Sequence, residues 1–238
     1  MPDLANRIAV ITGAGGNLGR AVARQFLAAG ARLVLVDRAK GRLSAAFPEL
    51  DDSADHILID AVDVTGPDVM QWVVRQTVDH FDRLDILVNT VGGYQSGAPL
   101  HQTPLETWDA MLNVNARTVF VACQAVIPVM LEQGYGKIIN VASRAGLNGS
   151  ARAAAYSAAK AAVLRLTESM AAELKMEGIN VNCVIPGTLD TPQNRLSNPQ
   201  GDTKRWVTPE SLAEVILFLA SDAARDIHGT AIPVYGRT

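Results

Sequence analysis

The sequence is poor in the residues that mark disulfide-bonded, metal-binding or nucleic-acid-binding proteins. Its 238 residues include two cysteines, Cys123 and Cys183, which lie in apolar surroundings and are typical of buried free thiols in a reducing compartment. The four histidines show no zinc-ligand spacing, so no metal site is expected. A net charge of -3, with the basic residues scattered, excludes the basic patch that binds nucleic acid or an anionic membrane.

Long hydrophobic runs and linkers are also missing. No uninterrupted apolar run approaches the length of about 18 residues that a membrane span needs. The first residues lack the charged and apolar regions of a secretory signal, so a cytoplasmic protein without a membrane partner is expected. A hydrophobic fraction of 48% and a charged fraction of 19% are those of an ordinary globular protein. With no linker or repeat, the sequence predicts a single domain over residues 1–238.

Short apolar runs rich in β-branched residues alternate with longer amphipathic segments. Nearly continuous apolar strands separated by helices predict an α/β fold with a parallel sheet covered on both faces. Helix starts are predicted at Thr103 and Thr208, in the sequences Thr103-Pro104-Leu105-Glu106 and Thr208-Pro209-Glu210. Each has a capping residue, a proline at the first helical position and an acidic residue in the first turn. In the first helix, Leu18, Val22 and Phe26 form an apolar stripe. The candidate strands are residues 7–12, 32–37, 56–60, 86–89, 137–142, 180–185 and 231–235.

Glycines crowd the junction of the first strand and first helix, in Thr12-Gly13-Ala14-Gly15-Gly16-Asn17-Leu18-Gly19-Arg20. Such a turn lets the backbone approach a pyrophosphate, and the helix N-terminus offers free N–H groups. Asp37 ends the second strand, where a carboxylate accepts hydrogen bonds from an adenosine ribose and repels a 2′-phosphate. The sequence therefore favours NAD over NADP, although the neighbouring Arg38 is a group that binds a 2′-phosphate.

Three further residues carry chemistry in the middle of the chain. Ser143 follows the fifth predicted strand, and Tyr156 and Lys160 lie four residues apart in an alanine-rich helical segment. Because residues at this spacing share one helix face, an ammonium lies beside a phenol and is expected to lower the pKa of the phenol. The serine hydroxyl is then placed to polarise a carbonyl group.

Taken in order, these motifs resemble those of the short-chain dehydrogenase/reductase family over essentially the whole chain. The family motif Thr-Gly-x-x-x-Gly-x-Gly is matched at Thr12, Gly13 and Gly19, with Asn17 in place of the middle glycine. Because asparagine tolerates positive φ, the turn is expected to survive. The usual ending Val-Asp-Gly-Gly is replaced by Val234-Tyr235-Gly236-Arg237, so unusual C-terminal contacts are expected.

The resemblance implies a Rossmann-type doubly wound sheet of about seven strands in the order 3-2-1-4-5-6-7. It also implies hydride transfer between a nicotinamide and a carbonyl or alcohol carbon. Ser143 would hold the substrate oxygen, Tyr156 would give or take its proton, Lys160 would lower the Tyr156 pKa, and Asn115 would position a water. The implied catalytic tetrad is Asn115, Ser143, Tyr156 and Lys160. The implied cofactor-binding residues are Gly13, Gly15, Gly16, Asn17, Leu18, Gly19, Asp37, Arg38, Asp63, Val64, Asn89, Gly92, Tyr156, Lys160, Pro186, Gly187, Thr188 and Thr191.

The substrate stays open at this point. Residues 192–206 are polar and contain proline, which is typical of a substrate loop or lid. The candidates for lining a substrate pocket are Gln95, Ser96, Arg144, Asn148 and Gln193. An alcohol dehydrogenase or carbonyl reductase is the leading interpretation, and a 3-oxoacyl thioester reductase is a narrower version of it. Residues 188–195 and Trp206 are similar to dihydropteridine reductase, but Ser143 argues against a pterin substrate. A non-catalytic NADH-binding regulator is the alternative from another class.

Segments 103–131 and 151–176 carry small and apolar residues on more than one face. A helix with two apolar faces needs a second partner besides its own sheet. Members of the family commonly pair these helices, so a homotetramer or homodimer is expected.

Overall fold

The computed structural model describes residues 3–237; Met1, Pro2 and Thr238, at the ends of the predicted domain, lie outside the described residues. Seven parallel strands form one sheet in the order β3-β2-β1-β4-β5-β6-β7, as expected. Every predicted strand is present, with ends that differ by at most one residue. The strands are β1 (Ile8–Thr12), β2 (Arg32–Val36), β3 (His56–Ile59), β4 (Ile86–Asn89), β5 (Gly136–Val141), β6 (Ile179–Pro186) and β7 (Ala231–Val234).

Helices cover both faces of the sheet. They are α1 (Asn17–Ala28), α2 (Arg42–Ala46), α3 (Pro67–Phe81), α4 (Leu105–Leu112), α5 (Thr118–Gln133), α6 (Arg144–Leu147), α7 (Ala154–Leu174), α8 (Pro192–Ser197) and α9 (Pro209–Ala220). Alternate residues of β1 serve opposite layers: Ile8 and Val10 pack with α3, α5 and α7, whereas Ala9 and Ile11 pack with α1 and α9. The predicted stripe of α1 is buried in the second layer.

The two predicted helix caps differ in outcome. The Thr208 hydroxyl accepts a hydrogen bond from the Ser211 N–H at 3.1 Å and caps α9, as predicted. The prediction for Thr103 is wrong, because α4 begins at Leu105 and the Thr103 hydroxyl instead donates to the Pro99 carbonyl at 3.1 Å. Pro99 is the N-cap of a 3-10 turn, Leu100–Gln102, that lies directly before Thr103.

One continuous helix, Leu105–Gln133, is long and apolar enough to cross a membrane, with a mean hydropathy of 1.6 over an 18-residue window. It joins α4 and α5 through a π-helical turn at Asn113–Arg117. Val119, Ala122 and Val126 are buried against the sheet, so the apolar character belongs to a core helix of a soluble protein.

Candidate active site

The glycine-rich turn joins β1 to α1 at the carboxyl edge of the sheet. Gly13 has a φ of +70°, a conformation that favours glycine. Gly19 packs so closely on the turn that a Cβ there would lie 2.2 Å from the Gly13 carbonyl oxygen. Helix α1 has no side-chain cap and no acidic residue in its first turn. No side chain therefore caps the first backbone N–H groups of α1, which leaves them available to an anion.

Asn17 does not adopt the positive φ that asparagine tolerates. Asn17 is the first residue of α1, and positive φ in this turn belongs to Gly13. Its side-chain amide instead leaves the turn and donates from Nδ2 to Gln193 Oε1 at 2.8 Å.

Asp37 lies directly after β2 and its carboxylate is held by the backbone. Oδ2 accepts from the Gly15 N–H at 3.0 Å, and Oδ1 accepts from the Ala39 N–H at 2.9 Å. Arg42 brings Nη1 to 3.7 Å from Oδ1, and its stem lies where a Gly15 side chain would point. Sequence reasoning considered Arg38, which is exposed, and missed Arg42. The contact arises because α2 folds back over the turn.

Asp63 and Val64 follow β3 at the same edge of the sheet. Asp63 is exposed, and hydrogen bonding from the Thr65 backbone, then from the Thr65 side chain, lowers its carboxyl pKa. Val64 is buried in the core layer under α3. Of the two, Asp63 is the one with polar atoms at the surface.

Asn89 ties three strands together. Its Nδ2 donates to Asn140 Oδ1 at 2.9 Å, and its Oδ1 accepts from the Thr12 hydroxyl at 3.4 Å. Asn89 is 2% exposed, so its amide stabilises the sheet. Gly92, three residues on, lines the main cleft, and a Cβ there would lie 3.2 Å from Asn115 Oδ1 and 3.4 Å from Lys160 Nζ.

Asn115 is buried in the π-helical turn between α4 and α5. Its Nδ2 donates to the Gly93 carbonyl at 2.9 Å and to the Met111 carbonyl at 3.0 Å, and its Oδ1 accepts from the Gly93 N–H at 3.2 Å. The side chain therefore holds the loop after β4, and the same Oδ1 faces the space at Gly92 near Lys160 Nζ.

Ser143, Tyr156 and Lys160 lie around one cleft. Ser143 is the N-cap of α6, where its hydroxyl accepts from the Ala145 N–H at 3.3 Å. Tyr156 and Lys160 lie one turn apart near the start of α7. Lys160 is 5% exposed, and its Nζ donates to the Val141 carbonyl at the end of β5 at 2.8 Å. The three residues thus meet at one cleft beyond the end of β5.

The pKa of Tyr156 is shifted in the direction opposite to the one expected. Burial raises the pKa of Tyr156, hydrogen bonding from Ser143 opposes the rise, and Tyr94 adds to it. Burial also lowers the pKa of Lys160 to about 8. Both residues of the i, i+4 pair line one cleft, but the spacing carried no information about burial, which is the largest cause of both shifts.

The cleft measures about 600 Å³. It is lined by all four residues of the implied tetrad, by Pro186 at the end of β6, and by Gly187 and Thr188 after it. Tyr94, which sequence reasoning missed, also lines it and packs edge-on against Tyr156 with ring centroids 4.9 Å apart. Its place shortly after Gly92 in the loop beyond β4 was the signal available in the sequence.

Thr191 lies just before the segment that contributes further residues to the cleft lining. The Thr191 hydroxyl accepts from the Asn194 N–H at 3.2 Å and caps α8, so its polar atom serves that helix. Asn194, Ser197 and Asn198 of the 192–206 segment line the cleft.

The five residues expected to line a substrate pocket do not share one cavity. Arg144 lines the main cleft and lies over the Tyr235 ring at 5.4 Å. Gln95 and Ser96 line a separate cavity of about 180 Å³ beside the start of α7. Gln193 contacts Asn17, and Asn148 is exposed without lining either cavity.

Among residues 3–237, no group of three or more His, Cys, Asp or Glu side chains is placed to hold a metal ion. Cys123 and Cys183 are both buried and free, as expected. Burial raises the pKa of each thiol to about 12, which keeps both unreactive.

The family model described as short chain dehydrogenase matches residues 7–202. A (2S)-[(R)-hydroxy(phenyl)methyl]succinyl-CoA dehydrogenase subunit from Thauera aromatica is 36% identical over 240 residues, covering 97% of this chain and 96% of the relative. A 3-oxoacyl-[acyl-carrier-protein] reductase from Thermotoga maritima is 34% identical over 241 residues, covering 98% of each. The solved structure of a levodione reductase superposes with a TM-score of 0.89 at 30% identity, covering 98% of this chain and 97% of that one.

Proposed function

Because the chain belongs to the short-chain dehydrogenase family, we propose that it is an NAD-dependent oxidoreductase acting on a carbonyl or secondary alcohol. The observation that supports this most is the convergence of Ser143, Tyr156 and Lys160 on one cleft of about 600 Å³. A hydroxyl, a phenol and a buried ammonium on one wall are the groups needed to hold a substrate oxygen and exchange its proton.

The residues of the carboxyl edge fit a nicotinamide dinucleotide. The turn from Gly13 to Gly19 fits the pyrophosphate, since its close packing leaves backbone N–H groups as the contact surface. Asp37 fits the adenosine ribose and Asp63 the adenine. Gly92 and the residues 186–188 fit the nicotinamide end, where they line the cleft. When bound, the cofactor supplies or accepts the hydride.

The side chains of the tetrad then have distinct tasks. The Ser143 hydroxyl holds the substrate oxygen, and the Tyr156 hydroxyl gives a proton to that oxygen or takes one from it. Because burial raises the pKa of Tyr156 in the protein alone, the positive charge of an oxidised nicotinamide, together with that of Lys160, would be needed to lower it towards working pH. Asn115 positions the water that passes protons between Lys160 and solvent.

The preference for NAD rests on Asp37. Its carboxylate is fixed by two backbone N–H groups, so it stays in place to repel a 2′-phosphate. We expect Asp37→Ala to lower the ratio of kcat/KM with NADH to kcat/KM with NADPH. Arg42 can then attract the 2′-phosphate, because the opposing carboxylate is gone. The ratio is measured with both cofactors at fixed substrate; an unchanged ratio would contradict the assignment.

A 3-oxoacyl or 3-hydroxyacyl thioester is the more specific substrate that the comparisons favour. The relative from Thermotoga maritima is named for an acyl-carrier-protein substrate and the one from Thauera aromatica for a CoA ester. Both match this chain over nearly its whole length, so thioesters come first among substrates to be tested.

The test is NADH oxidation and NAD reduction at 340 nm across a panel of carbonyls and alcohols. The panel contains 3-oxoacyl thioesters, sugars and polyols, cyclic ketones, steroids and quinonoid dihydropterin. Turnover by the wild type that is lost in Tyr156→Phe, with NADH binding retained, supports the enzyme and identifies the substrate class. NADH binding without turnover on any compound would favour the regulator, and no NADH binding would contradict the proposal.

We also propose a cytoplasmic homotetramer. Leu105, Trp108 and Phe120 are exposed on the helix formed by α4 and α5, which supports a partner for its second apolar face. Light scattering measures the mass in solution, and a monomer across the concentration range would contradict the proposal.

A further inference from the structure

The segment 192–206, called the strap here, crosses from α8 to a 3-10 turn at Thr203–Arg205 beside the cleft. Its hydrogen bonds to the rest of the described chain lie almost entirely at its two ends. At the first end, Asn194 Nδ2 donates to the Leu189 carbonyl at 2.8 Å, and Arg195 pairs with Asp190. At the second end, Arg205 and Arg237 exchange two hydrogen bonds at 2.9 Å each.

The first end carries a further contact, in which Asn17 Nδ2 donates to Gln193 Oε1 at 2.8 Å. It joins residues 176 positions apart, one at the first position of α1 and the other on α8. The contact therefore links the turn proposed to bind pyrophosphate to the strap that borders the cleft. Asn17 stands where the family motif has glycine, which has no side chain to make such a link.

We propose that Asn17 and Gln193 form a clasp that holds the strap against the phosphate-binding turn and slows the release of the dinucleotide. Both are positioning residues, because they act on cofactor residence and touch no reacting atom. The inference rests on the proposed function, since it assumes that a nicotinamide dinucleotide occupies the turn. Movement of α8 away from the phosphate-binding turn then requires this contact to break.

The test is the dissociation rate of NADH, measured by stopped-flow fluorescence with wild type, Asn17→Gly, Gln193→Ala and the double variant. Asn17→Gly restores the family motif, so the turn retains a residue compatible with its fold. Loss of one neutral hydrogen bond of about 1 kcal/mol predicts a rate about fivefold faster in each single variant. Because both changes remove the same contact, the double variant is expected to be no faster than the single ones.

Gln200→Ala is the matched control, since Gln200 is an exposed glutamine on the same strap. It is expected to release NADH at the wild-type rate. Urea titration is expected to give the same free energy of unfolding for Gln193→Ala and Gln200→Ala, which a general loosening of the fold would not leave unchanged.

The inference is overturned if the two single effects multiply in the double variant, or if Gln200→Ala accelerates release as much as Gln193→Ala. It is also overturned if Asn17→Gly accelerates release but Gln193→Ala does not, because Asn17 would then contact the dinucleotide directly. Failure of the wild type to bind NADH would instead contradict the proposed function, so the two failures are distinguishable.

Discussion

Two tyrosine–lysine pairs lie at opposite edges of the sheet. Tyr135 and Lys137 lie where β5 begins, and Tyr156 and Lys160 lie beyond the end of the same strand. Burial lowers the pKa of both ammonium groups and raises the pKa of both phenols. The two pairs thus share residue types, burial and the direction of every pKa shift.

The pairs differ in what surrounds them. At the amino edge, the Tyr135 hydroxyl donates to Asp222 Oδ1 at 3.1 Å, Lys137 Nζ donates to Asn180 Oδ1 at 2.6 Å, and Arg7 lies 4.0 Å over the Tyr135 ring. At the carboxyl edge, Tyr156 and Lys160 line a cleft. A perturbed pKa therefore does not by itself identify a reactive group. The two pairs differ because only Tyr156 and Lys160 line a cleft.

The largest expected difference is in turnover. Tyr156→Phe is expected to lower kcat by about 100-fold to 10,000-fold, because it removes the hydroxyl that exchanges the substrate proton. Tyr135→Phe removes the hydroxyl that donates to Asp222 at the other edge and is expected to leave kcat unchanged. Both are measured at 340 nm with the substrate found in the panel. A comparable loss in both variants would show that the comparison is wrong.

The second prediction concerns stability at the amino edge. Asp85 is fully buried and accepts hydrogen bonds from the Ile8 N–H and from Arg83, both at 2.9 Å. Asp85→Ala leaves these donors without their acceptor and is expected to lower the free energy of unfolding by about 3 kcal/mol in urea titration.

Its control is Asp226→Ala, which removes an exposed carboxylate 3.6 Å from Arg225. Because exposed ion pairs contribute little, a change of no more than about 0.5 kcal/mol is expected. Equal effects in the two variants would contradict a structural role that is specific to Asp85.

The third prediction uses the pKa of Lys160, which burial lowers to about 8. Between that value and the pKa of an unfolded lysine near about 10.4, the unfolded chain binds the proton that the folded chain has lost. The free energy of unfolding of the wild type relative to Lys160→Met should therefore rise with pH in this window, by up to about 1.4 kcal/mol per unit. Lys204→Met, which removes an exposed ammonium, serves as the control, and a flat difference for Lys160→Met would refute the shift.

The smallest effect is expected at His56, where edge strand β3 begins. His56 Nδ1 accepts from the Leu33 N–H at 3.1 Å, so the ring must be neutral at that nitrogen, and burial lowers its pKa. The neutral form stabilises the fold above the unfolded pKa of about 6.5, and this contribution is lost as pH falls below it. Thermal unfolding from pH 7 to pH 5 is expected to show a larger drop in Tm for wild type than for His56→Gln; parallel curves would contradict it.

Most of the fold could be read from local patterns, because strands and turns depend on neighbouring residues. The apolar runs predicted all seven strands, and the glycines predicted the turn before α1. The features that could not be predicted depend on contacts between segments that are distant in the sequence. The spacing of Tyr156 and Lys160 gave their proximity but not their burial, and the position of Asn17 gave no sign of Gln193. Arg42 and Tyr94 were missed for the same reason, since α2 and the loop after β4 bring them to the site only after folding.

The π-helical turn at Asn113–Arg117 makes the helix that contains it sensitive to residue number. A π-turn accommodates one residue more than a regular helical turn does. Because the extra residue is taken up inside one wide turn, its removal would restore a regular helix and leave α4 and α5 nearly in phase. The wide turn that holds Asn115 against the Gly93 loop would then be lost, although both helices could keep their packing. The length of this segment is therefore part of the site, and an alignment gap here would separate functional from non-functional relatives more sharply than most substitutions.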